Sequence, residues 1–295
     1  MAGNVTISNL SVAVLGLGIM GRGMAENLIA KGFEVRVYNR NLAKAEIFQD
    51  RARIAETPAA AAKDADIIVA MVTDDDASRS IWLSDGGALT TAKPGAVIVE
   101  SSTLSLPWGL ELARDARKAG LGFIDAPVLG SKSQAAEGAL RFLVGGEPAD
   151  IEKARPALNA MGGEVIVMGP VGSGIVIKLI NNFIAGVGVA AFAEGMAVAE
   201  KSGLDVEKAR DLLLSGASAS PLIKTVAARM AAGDFSPNFF TSLLAKDLGY
   251  MMGQAASVGI TLDSAAAARR RYLDAVEAGL GEEDIAAVIK PLRES

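Results

Sequence analysis

Residues Ser11–Gly21 read SVAVLGLGIMG, an apolar run that leads into three glycines spaced as GxGxxG. The run Ser11–Leu15 is short and rich in strand-forming residues, and a helical pattern follows the glycines. A strand, a glycine turn and a helix in this order form the context in which the spacing predicts dinucleotide binding. Gly16 permits the tight turn, Gly18 lets a pyrophosphate approach the backbone, and Gly21 lets helix and strand pack closely.

The helix after this turn presents, at its first residues, N–H groups without intrahelical partners and a partial positive charge. Both features favour phosphate binding. A flexible loop is the alternative explanation for the glycines, and their place between strand and helix favours the cofactor. The predicted cofactor contacts of the turn are Gly16, Leu17, Gly18, Ile19, Met20 and Gly21.

The second predicted strand, Glu34–Tyr38, runs into Asn39 and Arg40. An NAD-selective site usually offers a carboxylate here to hold the ribose 2′-hydroxyl. Asn39 carries no charge to repel a 2′-phosphate, and the Arg40 guanidinium binds phosphate in a fork geometry. We therefore expect Asn39 and Arg40 to contact the cofactor and NADP(H) to be favoured over NAD(H). The alternative is that Arg40 merely opens the next helix as a solvated charge.

Further β-rich runs alternate with helical patterns, which predicts an α/β fold with a doubly wound parallel sheet of the Rossmann type. Glycines lie in the links between the last three runs, so we expect these runs to leave the parallel order. The predicted strands are 67–72, 96–101, 122–128, 140–144 and 164–168.

The ligand of such a sheet lies at the carboxyl ends of its strands. The loops that leave these ends are therefore candidates to meet the nicotinamide end of the cofactor and a small substrate. We expect Val72 and Thr73 to contact the cofactor and Ser102 to contact the substrate. Each loop taken singly is more often an ordinary connection; their shared edge is the argument for a site.

A helical pattern of nearly thirty residues follows, and five shorter ones come after it. A helix of this length measures about 40 Å, too long for one small domain, and we expect it to join two domains and to contribute to a homodimer or homotetramer. After residue 203 no strand pattern is found. The predicted parts are 1–173, an NADP(H)-binding Rossmann domain; 174–203, an interdomain helix; and 204–295, an all-α domain.

Lys178 stands alone among the apolar residues at the start of this long helix. An ammonium group in such surroundings loses hydration, which is tolerable when the group is paired or its proton is useful. Asn182 lies four residues further on, so both side chains point the same way. We interpret the pair as the catalytic residues of a nicotinamide-dependent reductase. The alternative is a lysine whose stem covers apolar surface while its head reaches water.

The chain contains no His and no Cys among its 295 residues. It therefore lacks the commonest metal ligand and the usual proton carrier near neutral pH, and we expect no metal site. Ser-His-Asp and Cys-His hydrolysis are excluded. Acid–base catalysis must fall to Lys, Asp, Glu or Tyr.

A net charge of −5 argues against nucleic acid as a partner. No apolar run continues uninterrupted for about 18 residues, so we expect no membrane span. The first residues, MAGNVTISNL, lack a basic segment followed by an apolar core, so we expect no secretory signal. With no Cys, a cytoplasmic protein is the simplest account.

Five stretches along the chain carry a family resemblance. They are VAVLGLGIMGRGMAENL at 12–28, ESSTLSLP at 100–107, FIDAPVLGSKSQAAEGALRFLVGG at 123–146, VGSGIVIKLINN at 171–182 and LLAKDL at 243–248. In this order they resemble the β-hydroxyacid dehydrogenase family, which includes 3-hydroxyisobutyrate dehydrogenase, tartronate semialdehyde reductase and the glyoxylate/succinic semialdehyde reductases. The resemblance spans essentially the whole chain.

The resemblance implies roles for individual residues. Lys178 would be the catalytic lysine and Asn182 its substrate-orienting partner. The resemblance further implies cofactor contacts at Thr103 and Lys246, a substrate-carboxylate site at Gly130 and Ser131, and a pocket-closing role for Phe239. The pair Lys246-Asp247, read by itself, is most often solvated.

The substrate loop departs from the family pattern at one position. The family usually has Pro-Val-Ser-Gly, and here Leu129 stands in place of the serine. Losing one hydrogen bond in a buried site typically costs about 1–3 kcal/mol. Ser131 or backbone N–H groups could compensate, or the substrate is bulkier and less polar at this point.

The resulting hypothesis is hydride transfer between NADPH and a small aldehyde or keto acid, with Lys178 exchanging the proton with the substrate oxygen. A small 3-hydroxy acid, or a related hydroxy acid, is the reduced form. Two alternatives stay open: an imine reductase-like activity on the same fold, and a non-catalytic NADPH-binding scaffold.

Overall fold

A computed structural model of the protein describes residues 10–294. Residues 1–9, on which most of the expectation about a secretory signal depends, lie outside this range. The described chain forms two compact units, one up to Lys178 and the other from Leu179. The division falls inside the long helix, so the segment predicted as a separate part, 174–203, is shared between the units.

The first unit is built on one nine-stranded sheet. Its strands are β1 Ser11–Leu15, β2 Glu34–Tyr38, β3 Arg53–Ile54, β4 Ile67–Ala70, β5 Val97–Glu100, β6 Gly122–Asp125, β7 Val128–Leu129, β8 Leu140–Gly146 and β9 Gly162–Gly169. Their order is β3-β2-β1-β4-β5-β6-β8-β7, with β9 paired to β8. Neighbours from β3 to β6 are parallel, β8 runs antiparallel to β6 and β7, and β9 runs parallel to β8. The predicted doubly wound sheet is confirmed, and the expected departure from the parallel order holds for β8 and β9 but not for β6, which stays parallel to β5.

Helices cover both faces of this sheet, which is why its central strands are buried throughout. Successive side chains of a strand point to opposite faces, so Val12 and Val14 pack with one cluster, and Ala13 and Leu15 pack with another. Ser105 caps the helix that begins at residue 106, and its hydroxyl accepts from the Trp108 N–H. The helices are α1 Ile19–Ala30, α2 Pro58–Ala62, α3 Asp75–Leu83, α4 Leu106–Lys118, α5 Lys132–Glu137 and α6 Pro148–Met161.

Every extended element of regular structure among the described residues of the second unit is a helix, as predicted, and one isolated β-bridge joins Phe240 to Asp284. The core of this unit contains buried side chains from all of its long helices except the helix at 206–215, which has no buried residue. The predicted pocket residue Phe239 is half-buried and packs against this core. The Tyr272 hydroxyl donates to the Gly186 carbonyl at 2.9 Å and ties two helices together. The elements are α7 Ser173–Lys201, which begins in the first unit, α8 Val206–Ser215, α9 Pro221–Ala232, α10 Thr241–Ser257, α11 Asp263–Ala275 and α12 Lys290–Glu294, with short helical turns at Val276–Leu280 and Ile285–Ile289.

Helix α7 is apolar over most of its length. Among the described residues it alone is long and apolar enough to cross a membrane, with a mean hydropathy of 1.9, although the core helix of a soluble protein passes the same test. Ile184 and Val198 are 64% and 65% exposed in the single chain. The absence of a membrane span and the homodimer or homotetramer both stay predictions.

Candidate active site

The three glycines of the turn after β1 have different surroundings. Gly16 has a φ of +101°, and a Cβ there would overlap the Met71 carbonyl; a Cβ on Gly21 would overlap the Gly16 carbonyl. A Cβ on Gly18 would meet nothing within 4 Å, and this residue is exposed. Two glycines are therefore required by packing, and the third keeps an open space beside the backbone that fits a phosphate group.

Gly18 also lies immediately before α1, at the N-cap position of this helix. It is extended, and no side chain caps the helix, so the N–H groups of Ile19 and Met20 remain for a ligand at this end. The Leu17 N–H instead donates to Asn39 Oδ1 at 2.9 Å. Leu17 and Asn39 thus fix the shape of the turn, and the cofactor contact predicted for each stays a prediction.

Positive charge lies just beyond β2. Arg40 and Lys44 are both exposed. Within residues 10–294, no carboxylate forms an ion pair with either side chain. A guanidinium without an acidic partner keeps its donors for an anion, which is the charge that a 2′-phosphate would require.

Two loops at the carboxyl ends of β4 and β5 are joined by a buried serine. The Val72 N–H donates to Ser102 Oγ at 2.9 Å, and Ser102 is 0% exposed. Ser102 thus holds the two loops together, and the substrate contact predicted for it stays a prediction. Thr73 is exposed, and its hydroxyl donates to Asp74 at 2.8 Å. The cofactor contacts of Val72, Thr73 and the half-buried Thr103 stay predictions.

The predicted substrate loop lies between β7 and α5. Gly130 is exposed with a φ of +123°, a conformation that favours glycine. Ser131 opens α5, and both its N–H and its hydroxyl reach Gln134 Oε1, at 2.8 and 2.6 Å. The hydroxyl therefore already serves a helix cap, while Leu129 is half-buried at the end of β7. Substrate contacts of this loop stay a prediction.

Lys178 lies half-buried in the second turn of α7. The start of this helix is held by Asp125, a fully buried residue at the end of β6, whose carboxylate accepts from the Gly172 N–H at 2.7 Å and the Ile175 N–H at 2.9 Å. A Cβ on Gly174 would lie 2.8 Å from the same carboxylate, so glycine permits the approach. Asp125 is not among the site residues predicted from the sequence, although an acidic residue at the end of an apolar strand was the available signal.

Burial raises the pKa of Asp125 to about 6, against backbone hydrogen bonds from Gly172 and Ile175 that lower it. Because the folded protein holds this proton more tightly, the group's stabilising contribution is complete below an ordinary pKa of 3.8 and is lost as the pH rises through about 6. The difference corresponds to about 3 kcal/mol. We expect the free energy of unfolding of wild type, minus that of Asp125→Asn, to fall by about this amount between about pH 4 and about pH 7.5.

Urea unfolding of both proteins across this pH range measures the difference. Asp76→Asn removes an exposed carboxylate of the same unit and serves as the control variant. A difference for Asp125→Asn that does not change with pH, or that only follows the difference for Asp76→Asn, would contradict the assignment.

In the second unit, Asn182 belongs to a buried polar network. Asn182 is 3% exposed, and its Nδ2 donates to Asp247 Oδ2 at 2.7 Å. Lys246 Nζ lies 3.1 Å from the other oxygen of this carboxylate and 5.0 Å from the centre of the Tyr250 ring. The expectation of a solvated Lys246-Asp247 pair is wrong, because Asp247 is only 2% exposed. The network fixes the Asn182 amide; its catalytic role and the cofactor contact of Lys246 stay predictions.

The helical period of the sequence around Asp247 could have predicted that this residue is buried. It shares one face of α10 with the buried residues Leu244, Leu248 and Met251. A carboxylate on an apolar face needs a partner, and Asn182 is that partner.

A glycine turn on a parallel sheet, with open space at Gly18, is the site of a dinucleotide-binding protein. The same unit also contains Lys178, near the start of α7. Comparison with known proteins narrows the class. Residues 11–169 match the NAD binding domain of 6-phosphogluconate dehydrogenase, and residues 172–292 match the model described as NAD-binding of NADP-dependent 3-hydroxyisobutyrate dehydrogenase. The chain belongs to the β-hydroxyacid dehydrogenase family and is an NAD(P)-dependent oxidoreductase.

Individual relatives agree with this family. Glyoxylate/succinic semialdehyde reductase 1 of Arabidopsis thaliana is 34% identical, with 96% of this chain and 99% of the relative covered. The 3-hydroxyisobutyrate dehydrogenase of Mycobacterium tuberculosis, solved with L-serine, is 30% identical with a TM-score of 0.86, covering 96% of this chain and 99% of that one. An imine reductase from Pseudomonas sp., at 24% identity and a TM-score of 0.59 over 95% of this chain and 98% of that one, shares the fold alone.

Proposed function

We propose that the protein is an NADPH-dependent reductase of a small aldehyde or keto acid, with Lys178 as the general acid. The observation that carries the proposal is the place of Lys178: it is half-buried and belongs to the same compact unit as the glycine turn. The relatives named for 3-hydroxyisobutyrate and for semialdehydes support a short hydroxy acid as the reduced form.

Separate residues bind the cofactor, transfer the proton and orient the substrate. The turn at Gly18 and the start of α1 bind phosphate, and Arg40 binds a 2′-phosphate. NADPH, when bound, supplies the hydride. Lys178 donates a proton to the substrate oxygen as it becomes an alkoxide, and in the reverse direction the neutral amine accepts the hydroxyl proton. Asn182, held by Asp247, hydrogen-bonds the substrate hydroxyl without competing for its proton.

Steady-state NADPH oxidation with glyoxylate, succinic semialdehyde and tartronate semialdehyde tests this proposal. We expect turnover with at least one of them. A cyclic imine in the same panel tests the alternative activity, and turnover of the imine alone would replace the proposal. Tight NADPH binding with no oxidation across the panel would favour a binding scaffold instead.

Arg40→Ala is expected to lower kcat/KM with NADPH about 10- to 100-fold and to leave kcat/KM with NADH within about twofold. The reason is that the lost charge-assisted hydrogen bonds reach only the 2′-phosphate, which NADH lacks. Kinetics with both cofactors at a fixed carbonyl concentration measure the ratio.

Arg114→Ala is the matched control, because Arg114 is another exposed arginine of the first unit, on α4. It should leave both values unchanged. Equal losses with NADPH and NADH in Arg40→Ala would show that Arg40 does not read the 2′-phosphate.

A further inference from the structure

A fully buried carboxylate at the end of β5 is not used by the proposed reaction. Glu100 is 1% exposed. Its Oε2 accepts from Trp82 Nε1 at 2.8 Å and from the Ser78 hydroxyl at 3.0 Å, and its Oε1 accepts from the Ser102 N–H at 3.1 Å. The Ser102 hydroxyl also hydrogen-bonds to this carboxylate. Four donors therefore converge on one side chain.

These donors favour the ionised form of Glu100. Burial is the largest influence and raises the pKa of Glu100 above its ordinary value, while hydrogen bonds from Ser102, Trp82 and Ser78 oppose that rise. Two of the donors are N–H groups, which cannot turn round to accept a proton from a carboxylic acid. Within residues 10–294, no lysine or arginine forms an ion pair with Glu100, so hydrogen bonds are what counters the loss of hydration, and they do so in part.

The same carboxylate is connected to the glycine turn by a short path. The N–H and the hydroxyl of Ser102 both donate to Glu100, and the Ser102 hydroxyl oxygen accepts from the Val72 N–H at 2.9 Å. Val72 in turn lies against the turn, since a Cβ on Gly16 would be 3.2 Å from Val72 Cγ1. From the other side, Asn39 holds the Leu17 N–H. The glycine turn is thus held on one side by the Val72 loop and on the other side by Asn39.

We propose that Glu100 is a positioning residue for the dinucleotide: through Ser102 it holds the Val72 loop against the glycine turn, and so sets the affinity for the cofactor. The proposal depends on dinucleotide binding, which the family establishes, and on neither the substrate nor Lys178. Glu100 itself touches no reacting atom and acts only through Ser102 and Val72.

Glu100→Gln tests the proposal with almost no change in volume. The amide has one acceptor oxygen and one NH₂ group, so either orientation sets the NH₂ against an N–H donor, that of Ser102 or that of Trp82. We expect the Kd for NADPH, measured by calorimetry without substrate, to rise about 10- to 100-fold. KM for NADPH should rise with it, whereas kcat at saturating NADPH and KM for the carbonyl stay within about twofold.

Trp82→Phe is the matched control. It removes a donor to the same carboxylate, yet Trp82 lies on α3 and contacts neither loop through a hydrogen bond. Its Kd for NADPH should stay within about twofold of wild type, although its stability falls. Equal loss of affinity in Trp82→Phe and Glu100→Gln would mean general loosening and would overturn the proposal. An unchanged Kd in Glu100→Gln would overturn it too.

A second variant covers the case in which Glu100→Gln does not fold. Ser102→Ala keeps Glu100 and its bonds to Ser78 and Trp82, but removes the acceptor of the Val72 N–H. We expect weaker NADPH binding together with faster hydrogen exchange at the Val72 amide in the cofactor-free protein. Wild-type affinity in Ser102→Ala would end the proposal, whatever the substrate proves to be.

Discussion

Lys178→Ala is expected to lower kcat about 10²- to 10⁴-fold while the Kd for NADPH stays within about twofold of wild type. The variant removes the group that donates the proton to the substrate oxygen, and it leaves the glycine turn and Arg40 intact. Lys178 is only half-buried, so the loss of packing is small. Steady-state kinetics with the carbonyl that wild type reduces best, together with a calorimetric NADPH titration, measure both quantities.

Lys201→Ala is the control, because Lys201 ends the same helix and is exposed. It should match wild type in kcat and in Kd. Lys178→Arg keeps a positive charge but not a proton that is exchanged near neutral pH, so we expect it to remain impaired. Wild-type turnover in Lys178→Ala would remove Lys178 from the mechanism, even with the family assignment intact.

The architecture of the first unit was readable because its signals are local. β1 and β2 have the predicted bounds, Ser11–Leu15 and Glu34–Tyr38, and the glycine turn lies between β1 and α1. Strand β3 escaped notice since two residues, Arg53–Ile54, are too short to show an alternating pattern. The division after Lys178 could not be read either, because α7 continues through it without a break in pattern.

The polar support of the candidate site was not readable, because its partners are far apart in the chain. Asn182 meets Asp247 across 65 positions, and Asp125 meets Ile175 across 50. Glu100 begins the segment 100–107, which carries part of the family resemblance, yet nothing in this segment indicates that Trp82 and Ser78 donate hydrogen bonds to it. Sequence patterns gave candidate ligand contacts, which stay predictions, whereas the buried groups that support those candidates appeared only with the fold.

Gly18→Val is expected to raise the Kd for NADPH at least about 100-fold without unfolding the protein. Gly18 has a φ of −69°, which any residue adopts, and a Cβ there meets no atom within 4 Å. The valine therefore costs about 1 kcal/mol at most as a poorer start to α1. Its branched side chain fills the space in which a phosphate would approach the N–H groups of Ile19 and Met20, and each lost charge-assisted bond is worth about 1.5–3 kcal/mol.

Two other glycines separate this effect from a folding defect. Gly253→Val places the same side chain on the exposed side of α10, where a Cβ also meets nothing within 4 Å, and should leave stability and Kd near wild type. Gly16→Ala overlaps the Met71 carbonyl at a φ of +101° and should destabilise the first unit itself. Thermal unfolding measures the stability of all three variants, and calorimetry measures their Kd for NADPH, so the two together distinguish weaker cofactor binding from a destabilised fold. Wild-type NADPH affinity in Gly18→Val would mean that the phosphates do not bind at this turn, whatever the resemblance of its sequence.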